Sequence, residues 1–474
     1  MTAADRGLLA DVSATLQPGF AGAEVPGWVE RAHADGLASL CLYGDNVGPD
    51  GSGMRPVASA LHARLPGVLL ATDEEGGDVT RVHYPAGSTV PGNAVLGRLD
   101  DTALTRAVAA HVGTELASLG IGLDLAPSVD VNSTPSNPVI GVRSFGATPE
   151  LVARHSAAFV EGLQSAGVAA CAKHFPGHGD TVADSHHDLP RVDAPVELLR
   201  ERELVPFRAA VEAGVRAVMT SHVLVPALDA DRPATFSPTV IGVLRHELGF
   251  DGVLVSDALD MAGASAESGI PEAAVRALLA GVDLLCLGSN TGEARFSATR
   301  DAVVEAVVSG RLPRERVAEA AGRVRALAGD LARPPSGTGA AASPPPLPLA
   351  TIARAFRLSD TAARWLAGSA PVAVVQVGSV ANLAVGDVSW GPAGLGATVA
   401  EDDVAPGARV AVVGRGLGPD HPAHEVVARL RSAGHEVVLV ECGWPRGGAD
   451  VEVFGGSPPV TRALLGLLHG EVSP

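Results

Sequence analysis

The feature that most constrains the fold is a repeated alternation of short apolar runs with amphipathic segments, which continues to about residue 327. Eight runs have the character of buried strands: residues 14–20, 37–43, 68–72, 122–131, 168–172, 217–221, 252–255 and 282–287. Segments of helical period lie between most of them, for example at 102–119, 149–166, 195–213, 239–248 and 271–279. Repeated strand–helix units imply a parallel sheet. Eight of them predict a closed (β/α)8 barrel of the TIM type, with an open doubly wound sheet as the alternative.

The pattern is interrupted once, after a helix predicted at residues 314–331. Residues 334–349 are rich in proline, glycine, alanine and serine, which is typical of a linker. The alternation then restarts, with strands predicted at 372–377, 409–413 and 436–440 and helices at 424–433 and 459–468. We therefore predict a barrel domain over residues 1–333, a linker over 334–349 and a smaller α/β sandwich domain over 350–474. The run VGRGLG at 413–418 lacks the spacing of the dinucleotide fingerprint, so no cofactor is expected there.

Composition and charge limit the kinds of partner. The formal net charge of -18 argues against nucleic acid or an anionic membrane surface and says little about a neutral substrate. No apolar run reaches the roughly 18 residues of a membrane span, and the first residues lack the pattern of a signal peptide, so we expect a soluble, cytoplasmic protein. The four cysteines are far apart and three lie in apolar runs, which predicts buried free thiols.

Polar residues suited to chemistry follow the predicted strands. Catalytic residues of such barrels lie at the carboxyl ends of the strands. Five of the predicted strands end in this way, at Asp73, at Asp130 and Asn132, at Lys173 and His174, at Ser221 and His222, and at Ser256 and Asp257. The candidate site is therefore expected at one end of the barrel.

The longest of these polar stretches is KHFPGHGDTVADSH at residues 173–186. In an extended loop, residues two apart point to the same side, so Asp184 can lie beside His186. A carboxylate raises the pKa of a neighbouring imidazole and fixes its tautomer, which lets the pair donate and accept a proton near neutral pH. The alternative is a turn capped by Asp184 with an exposed His186. The other histidines of the loop favour the catalytic interpretation.

A metal site is a second interpretation of these histidines. His174 and His178 are four residues apart, a spacing that suits zinc when both lie on a helix. Pro176 and Gly177 lie between them and disfavour such a helix, so we expect no bound metal.

Asp257 follows the seventh predicted strand, in the run SDALDM at 256–261. Serine or aspartate after a strand is often only the cap of the next helix. At a barrel strand end, however, a carboxylate faces the site, and Asp260 can provide the cap instead. A carboxylate and an acid/base on one barrel face suit glycoside cleavage, in which one group attacks the anomeric carbon and the other protonates the departing oxygen.

Several of these motifs resemble those of family 3 glycoside hydrolases, in the β-N-acetylglucosaminidase branch. The long motif at 173–186 resembles the signature of that family, and SDALDM resembles its nucleophile motif. Three shorter motifs agree in order and spacing: DEEGG at 73–77 with Arg81, GVRSFG at 141–146, and MTSHV at 219–223. The resemblance covers roughly residues 16–328 and implies a retaining enzyme that releases terminal β-linked N-acetylglucosamine.

The resemblance also implies roles for individual residues. Asp257 would be the nucleophile that forms a covalent glycosyl-aspartate, and His186 would be the acid/base, oriented by Asp184. The family often has arginine where this chain has Asp78, so Asp78 is expected to face a different neighbour or aglycone. The hydroxyls and the N-acetyl group of the sugar would be held by Asp73, Arg81, Arg143, Lys173 and His174.

Three functions are compatible with the sequence. The first is hydrolysis of recycled cell-wall muropeptides or chitin-derived oligosaccharides. The second is a β-N-acetylglucosaminide phosphorylase, because a neutral imidazole base repels a phosphate dianion less than a carboxylate would. The third is a sugar-binding protein with a dead site, which the presence of both Asp257 and His186 disfavours. Because the Asp–His pair is on the barrel, the C-terminal domain need not take part in catalysis; packing, dimerisation or a pocket wall are its candidate roles.

Overall fold

A computed structural model of the chain describes residues 3–48, 53–181, 189–266, 268–333, 347–379 and 384–473. Most of the predicted linker lies outside these ranges, as do Asp184 and His186. The predicted boundaries of the two domains therefore stay predictions.

Within the described residues, eight parallel strands form a barrel, as predicted. They are β1 (Leu16–Gln17), β2 (Ser39–Leu42), β3 (Leu69–Thr72), β4 (Leu123–Asp124), β5 (Ala169–Phe175), β6 (Ala217–Thr220), β7 (Val253–Val255) and β8 (Leu285–Cys286). Strands β2 to β7 pair in sequence order, and β8 pairs with β1. A parallel bridge between Val255 and Leu284 joins β7 to β8. The Cys41 amide donates to the Pro18 carbonyl between β2 and β1, which closes the ring.

The strand lengths differ from the prediction in both directions. β4 has two residues where ten were predicted, because Pro127 follows closely and has no amide hydrogen for the ladder. β5 continues past the predicted end to Phe175, since the Lys173 carbonyl accepts a hydrogen bond from the Val129 amide. Lys173 and His174 therefore lie within a strand and not in a loop.

Helices cover the outside of the ring. The helix Pro149–Ser165 shows why: Val152, Phe159 and Leu163 lie on one face and are buried, so the helix is amphipathic toward the strands. Two predicted helices, at 195–213 and 239–248, contain π-helical turns, at Leu199–Glu203 and Val243–Glu247. The other α-helical segments of this part are Ala3–Ala14, Gly27–Ala34, Arg55–Arg64, Asn93–Leu99, Thr102–Leu119, Val196–Leu198, Leu204–Glu212, Pro238–Gly242, Ala262–Ser265, Gly269–Ala280, Glu293–Val308 and Arg314–Leu331.

The helix Arg314–Leu331 covers the amino ends of the strands. Its Val324, Leu327 and Leu331 share one apolar cluster with the first residues of β3 and β4, Leu69 and Leu123. This packing closes one end of the barrel, so the opposite end, where the carboxyl ends of the strands meet, is left for a site.

The C-terminal part contains a five-stranded sheet within the described residues. Its strands are β9 (Arg357–Leu358), β10 (Val372–Gln376), β11 (Arg409–Gly414), β12 (Glu436–Glu441) and β13 (Val451–Glu452), in the order β10-β11-β12-β13-β9. Strands β10 to β13 are parallel, and β9 is antiparallel to β13. Helix Ala423–Ser432 packs on one face and helix Pro458–Leu468 on the other. The shorter helices are Leu349–Ala353, Asp360–Leu366 and Gly391–Gly394.

The glycine-containing loop after β11 binds a carboxylate of its own chain. Glu441, at the end of β12, accepts hydrogen bonds from the amides of Gly416 at 2.8 Å, Leu417 at 2.6 Å and Gly443 at 2.5 Å. The backbone donors that a bound phosphate would use are therefore satisfied by Glu441.

The C-terminal sheet packs directly on the barrel. Val95, on the barrel helix Asn93–Leu99, belongs to the same apolar cluster as Phe454 and Leu464. The guanidinium of Arg98 lies 5.2 Å from the centre of the Phe454 ring. This contact brings the loops of the C-terminal part close to the carboxyl ends of the barrel strands.

The cysteines and the apolarity of the helices can also be compared with what the sequence suggests. Cys41, Cys171 and Cys286 are buried and free, as predicted, and so is Cys442. In the described part of the chain, no helix combines the length and the apolarity that crossing a membrane requires.

Candidate active site

The carboxyl ends of the barrel strands surround a cavity of about 500 Å³. This volume is in the range of small-molecule sites. The polar side chains that line it include Asp73 and Glu75 after β3, Arg143 in the long loop after β4, Lys173 and His174 in β5, and Asp257 after β7.

Four of these side chains form one ion network. Lys173 Nζ donates to Asp73 Oδ1 at 2.7 Å and lies 2.8 Å from Glu75 Oε1. Arg143 donates to both oxygens of Glu75, from Nε at 2.9 Å and from Nη2 at 2.7 Å. The Glu75 side chain is 2% exposed, so it neutralises two cations away from water. Two carboxylates and two cations thus balance each other in the cavity wall.

The facing charges keep this network ionised. Burial alone would raise the pKa of Glu75 and lower the pKa of Lys173, since each charged form loses water. Arg143 and Lys173 outweigh burial and hold the pKa of Glu75 well below its usual range. Asp73 and Glu75 likewise raise the pKa of Lys173. Glu75 and Lys173 are therefore charged near neutral pH and present fixed donors and acceptors.

Asp130, which follows β4, orients His174. Its Oδ2 lies 2.7 Å from His174 Nδ1, while Arg143 Nη2 lies 3.2 Å from His174 Nε2. A guanidinium can only donate, so Nε2 accepts and Nδ1 carries the proton that Asp130 receives. His174 thus has its tautomer fixed from both sides.

His178 is buried beside this pair. Its amide donates to Asp130 Oδ1 at 2.7 Å, and its Nδ1 lies 2.8 Å from Thr181 Oγ1. Burial of the imidazole, which disfavours the charged form, is the main cause that lowers the pKa of His178 to about 4. His178 is therefore neutral near pH 7.

The loop that follows β5 is fixed against the barrel over its described residues, 176–181. A side chain at Gly179 would place its Cβ 1.9 Å from the Val131 carbonyl oxygen, so only glycine fits there. Asp180 accepts hydrogen bonds from Thr134 Oγ1 and Arg202 Nη2, each at 2.6 Å. The loop therefore leaves β5 in a fixed direction.

Asp257 lies two residues after the end of β7 and is partly exposed to the cavity. Its Oδ1 accepts a hydrogen bond from the Ala258 amide at 2.8 Å. The buried His222, after β6, donates from Nε2 to the Ala258 carbonyl at 3.0 Å. Both contacts fix the backbone beside Asp257, so the carboxylate has a defined position.

The structure brings most of the predicted site residues together. Asp184 and His186 lie outside the described residues. Arg81 lines the cavity, but its guanidinium donates to the carbonyls of Ala384 at 2.6 Å and Val385 at 3.3 Å. The predicted site residues that line this cavity are Asp73, Arg81, Arg143, Lys173, His174 and Asp257. Their roles in catalysis and sugar binding stay predictions.

Three residues that line or support the cavity were given no role from the sequence. Glu75 and Asp130 stand at strand ends, and His178 stands in the histidine loop, so the signal was present for each. The motif DEEGG alone does not show which of its two glutamates, Glu74 or Glu75, faces the cavity. The structure separates them: Glu74 is buried and accepts hydrogen bonds from the amides of residues 81 and 82 and from Thr80 Oγ1.

Glu203 has a buried carboxyl group beside Gly177, at the start of the loop after β5, and its pKa predicts how stability depends on pH. Glu203 is 1% exposed, and burial raises its pKa to about 7. Between about pH 4.5 and 7 the unfolded chain loses this proton and the folded chain keeps it, so stability falls as pH rises. Glu203→Gln should abolish this loss, and its unfolding free energy should gain about 1–3 kcal/mol over the wild type between pH 5 and pH 8. Urea unfolding at both pH values measures it; the exposed neighbour gives the control Glu201→Gln, and equal pH slopes for both variants would contradict the assignment.

The parallel barrel, with a carboxylate and a fixed array of cations at its carboxyl strand ends, defines a barrel enzyme that acts on a small polar ligand. Comparison with known families is more specific. Residues 49–327 match the Glycosyl hydrolase family 3 N terminal domain. Since this match covers more than half of the chain, the chain belongs to glycosyl hydrolase family 3, and it is a glycoside hydrolase.

Individual relatives agree with this placement. Beta-hexosaminidase A from Pseudoalteromonas piscicida is 37% identical over 295 residues, which are 58% of this chain and 49% of that protein, so the match spans about half of its length. The solved family 3 beta-N-acetylglucosaminidase from Paenibacillus sp. str. FPU-7 is 31% identical, with a TM-score of 0.82 over 98% of this chain and 97% of that one. The Beta-N-acetylhexosaminidase from Beutenbergia cavernae is also 31% identical, with a TM-score of 0.59 over 68% of this chain and 98% of that one. About a third of this chain therefore has no counterpart in the last structure.

Proposed function

We propose that the protein is a retaining exo-β-N-acetylglucosaminidase. The observation that carries the proposal is the placement of the Asp257 carboxylate in one cavity with Lys173, Arg143 and His174, whose polar groups suit the hydroxyls and amide of a sugar. The names of the relatives, a beta-hexosaminidase and a beta-N-acetylglucosaminidase, support the choice of an N-acetylhexosamine.

In the proposed mechanism, Asp257 attacks the anomeric carbon as the glycosidic oxygen departs with a proton from His186. The result is a covalent glycosyl-aspartate. In the second step His186 removes a proton from water, whose oxygen displaces Asp257, so the anomeric configuration is retained. Asp184 is proposed to orient His186. The substrates would be muropeptides from cell-wall recycling or chitin-derived oligosaccharides, and the cytoplasmic location stays a prediction.

The primary experiment is an assay with p-nitrophenyl β-N-acetylglucosaminide, with and without millimolar phosphate, in which the released sugar is identified by mass. We expect free N-acetylglucosamine, formed at a rate that does not depend on phosphate. N-acetylglucosamine 1-phosphate, formed faster as phosphate increases, would instead support a phosphorylase. Sugar binding without turnover would support a dead site.

A variant of the proposed acid/base tests the mechanism. His186→Ala should slow substrates with poor leaving groups far more than those with good ones, because only the former need a proton. General acid catalysis contributes about 10²–10⁴-fold, so chitobiose hydrolysis should fall by that factor while a dinitrophenyl glycoside loses much less in its first step. The initial burst of released phenol and the steady-state rate separate the two steps. Equal losses for both substrates would remove His186 from the acid role.

A further inference from the structure

We propose that the ion pair between Asp78 and Arg415 positions the wall that the C-terminal part contributes to the cavity. The wall is the segment 384–386, whose residues Ala384 and Gly386 line the cavity. The inference rests on the proposed function for its substrate, since the wall would set the room available to an N-acetylglucosaminide.

Asp78 is a barrel residue whose partners lie in the C-terminal part. Its Oδ2 accepts a hydrogen bond from Arg415 Nη1 at 3.0 Å, and its Oδ1 accepts one from the Gly456 amide at 2.8 Å. The Asp78 side chain is 3% exposed, so its charge is stable there only with these donors. Asp78, which stands where the family often has arginine, therefore has partners in the C-terminal part.

Arg415 is itself held in place within the C-terminal part. It follows β11, and its guanidinium lies 4.5 Å from the centre of the Trp390 ring. A cation over an indole face is an attractive contact that also limits rotation of the side chain. The ion pair therefore joins a fixed point of the barrel to a fixed point of the C-terminal sheet.

The wall is attached to the same barrel segment as the ion pair. Arg81, three residues after Asp78, donates to the carbonyls of Ala384 and Val385. The Val385 side chain packs with Val79 and Tyr84 in one small apolar cluster. The barrel segment 78–84 contacts the wall and also borders the cavity. A shift of the C-terminal part would therefore move the wall relative to the bound sugar.

The consequence is a positioning role for Asp78, distinct from chemistry at Asp257. A displacement of about 1 Å in a substrate-positioning group can reduce the rate about a hundredfold. We therefore expect Asp78→Asn to lower kcat/KM about tenfold, mainly through a higher KM, with kcat changed less than about threefold. The Asn side chain keeps an oxygen for the Gly456 amide, so the change removes mainly the charge.

The experiment measures KM, kcat and the dissociation constant of N-acetylglucosamine for Asp78→Asn, Arg415→Met and the double variant. A pair that acts as one unit predicts that the double variant loses no more than either single variant. Arg429→Gln, which breaks an exposed ion pair with Glu401 in the same C-terminal part, is the matched control and should leave all three constants unchanged. A lower thermal midpoint with unchanged KM and dissociation constant would mean a merely structural pair and would overturn the proposal.

Ala384→Phe tests the wall without disturbing the ion pair. A benzyl group at this position should narrow the cavity and raise the KM for chitobiose at least as much as Asp78→Asn does. Chitobiose and p-nitrophenyl kinetics equal to the wild type would overturn the proposal. If the wild type turns over no β-N-acetylglucosaminide, the proposed function fails, and the dissociation constants of the sugar still decide whether the wall contributes to binding.

Discussion

Asp257→Asn is expected to reduce turnover of p-nitrophenyl β-N-acetylglucosaminide by about 10⁴-fold or more, because the variant retains the shape of the side chain and loses the attacking carboxylate. The fold should be unaffected, since the amide oxygen of asparagine can still accept the hydrogen bond from the Ala258 amide. The side chain is also partly exposed, so its replacement leaves no buried cavity. The measurements are kcat and the thermal unfolding midpoint.

The shorter variant Asp257→Ala identifies the role of the carboxylate. Azide can enter the space left by the side chain and attack the anomeric carbon as the phenol departs. A single displacement inverts the configuration, so the product should be the α-glycosyl azide, whereas the proposed mechanism predicts a β-configured product for the wild type. Asp251→Asn, at an exposed position before β7, is the control for a lost charge. Retention of most activity by Asp257→Ala would exclude Asp257 as the nucleophile.

Glu75→Gln is expected to have the second largest effect. It would leave Arg143 and Lys173 buried with one carboxylate, Asp73, instead of two. Removal of one partner from a buried ion pair typically costs about 3–5 kcal/mol, because the remaining charge has lost both water and its partner. The unfolding free energy should fall by about this amount, and N-acetylglucosamine should bind more weakly, since both cations are then free to shift.

Urea unfolding measures the stability change, and calorimetry measures the binding of the sugar. The matched control is Glu161→Gln, which breaks the exposed ion pair with Arg106 and should change stability by less than about 0.5 kcal/mol. If the two variants had the same urea midpoint, the charges of Lys173 and Arg143 would have to be balanced by other groups. That outcome would contradict the network described for the cavity wall.

The barrel could be predicted because its strands are buried on both faces and appear as apolar runs. The lengths of the strands could not be predicted, because an apolar run indicates that residues are buried and does not show which of them belong to a strand. The run 122–131 illustrates this: Leu125, Val129 and Val131 are all at most 1% exposed, yet they lie beyond the two-residue strand β4. The strands β9 and β13 were missed because two residues carry no periodic signal.

The location of the site could be predicted from the sequence, but not every residue that belongs to it. The strand-end rule and the family resemblance found Lys173, His174 and Asp257, which line one cavity. They did not identify Glu75, because its orientation depends on cations that lie far along the chain and on the turn at Gly76, which has a φ of 79°. The partner of Asp78 could not be predicted either, since it requires the packing of two separate sheets.

The Glu441 carboxylate, which is bound by the loop after β11, affects how a change of the assay rate with phosphate is interpreted. Glu441 is part of the chain and already accepts hydrogen bonds from three backbone amides, so phosphate would have to displace a tethered carboxylate to bind there. Free phosphate competes poorly for those amides, in the way that an inhibitor competes poorly with a covalently attached ligand. An acceleration by phosphate in the assay is therefore not expected to arise at this loop, which behaves as an anion site already occupied by a carboxylate of its own chain.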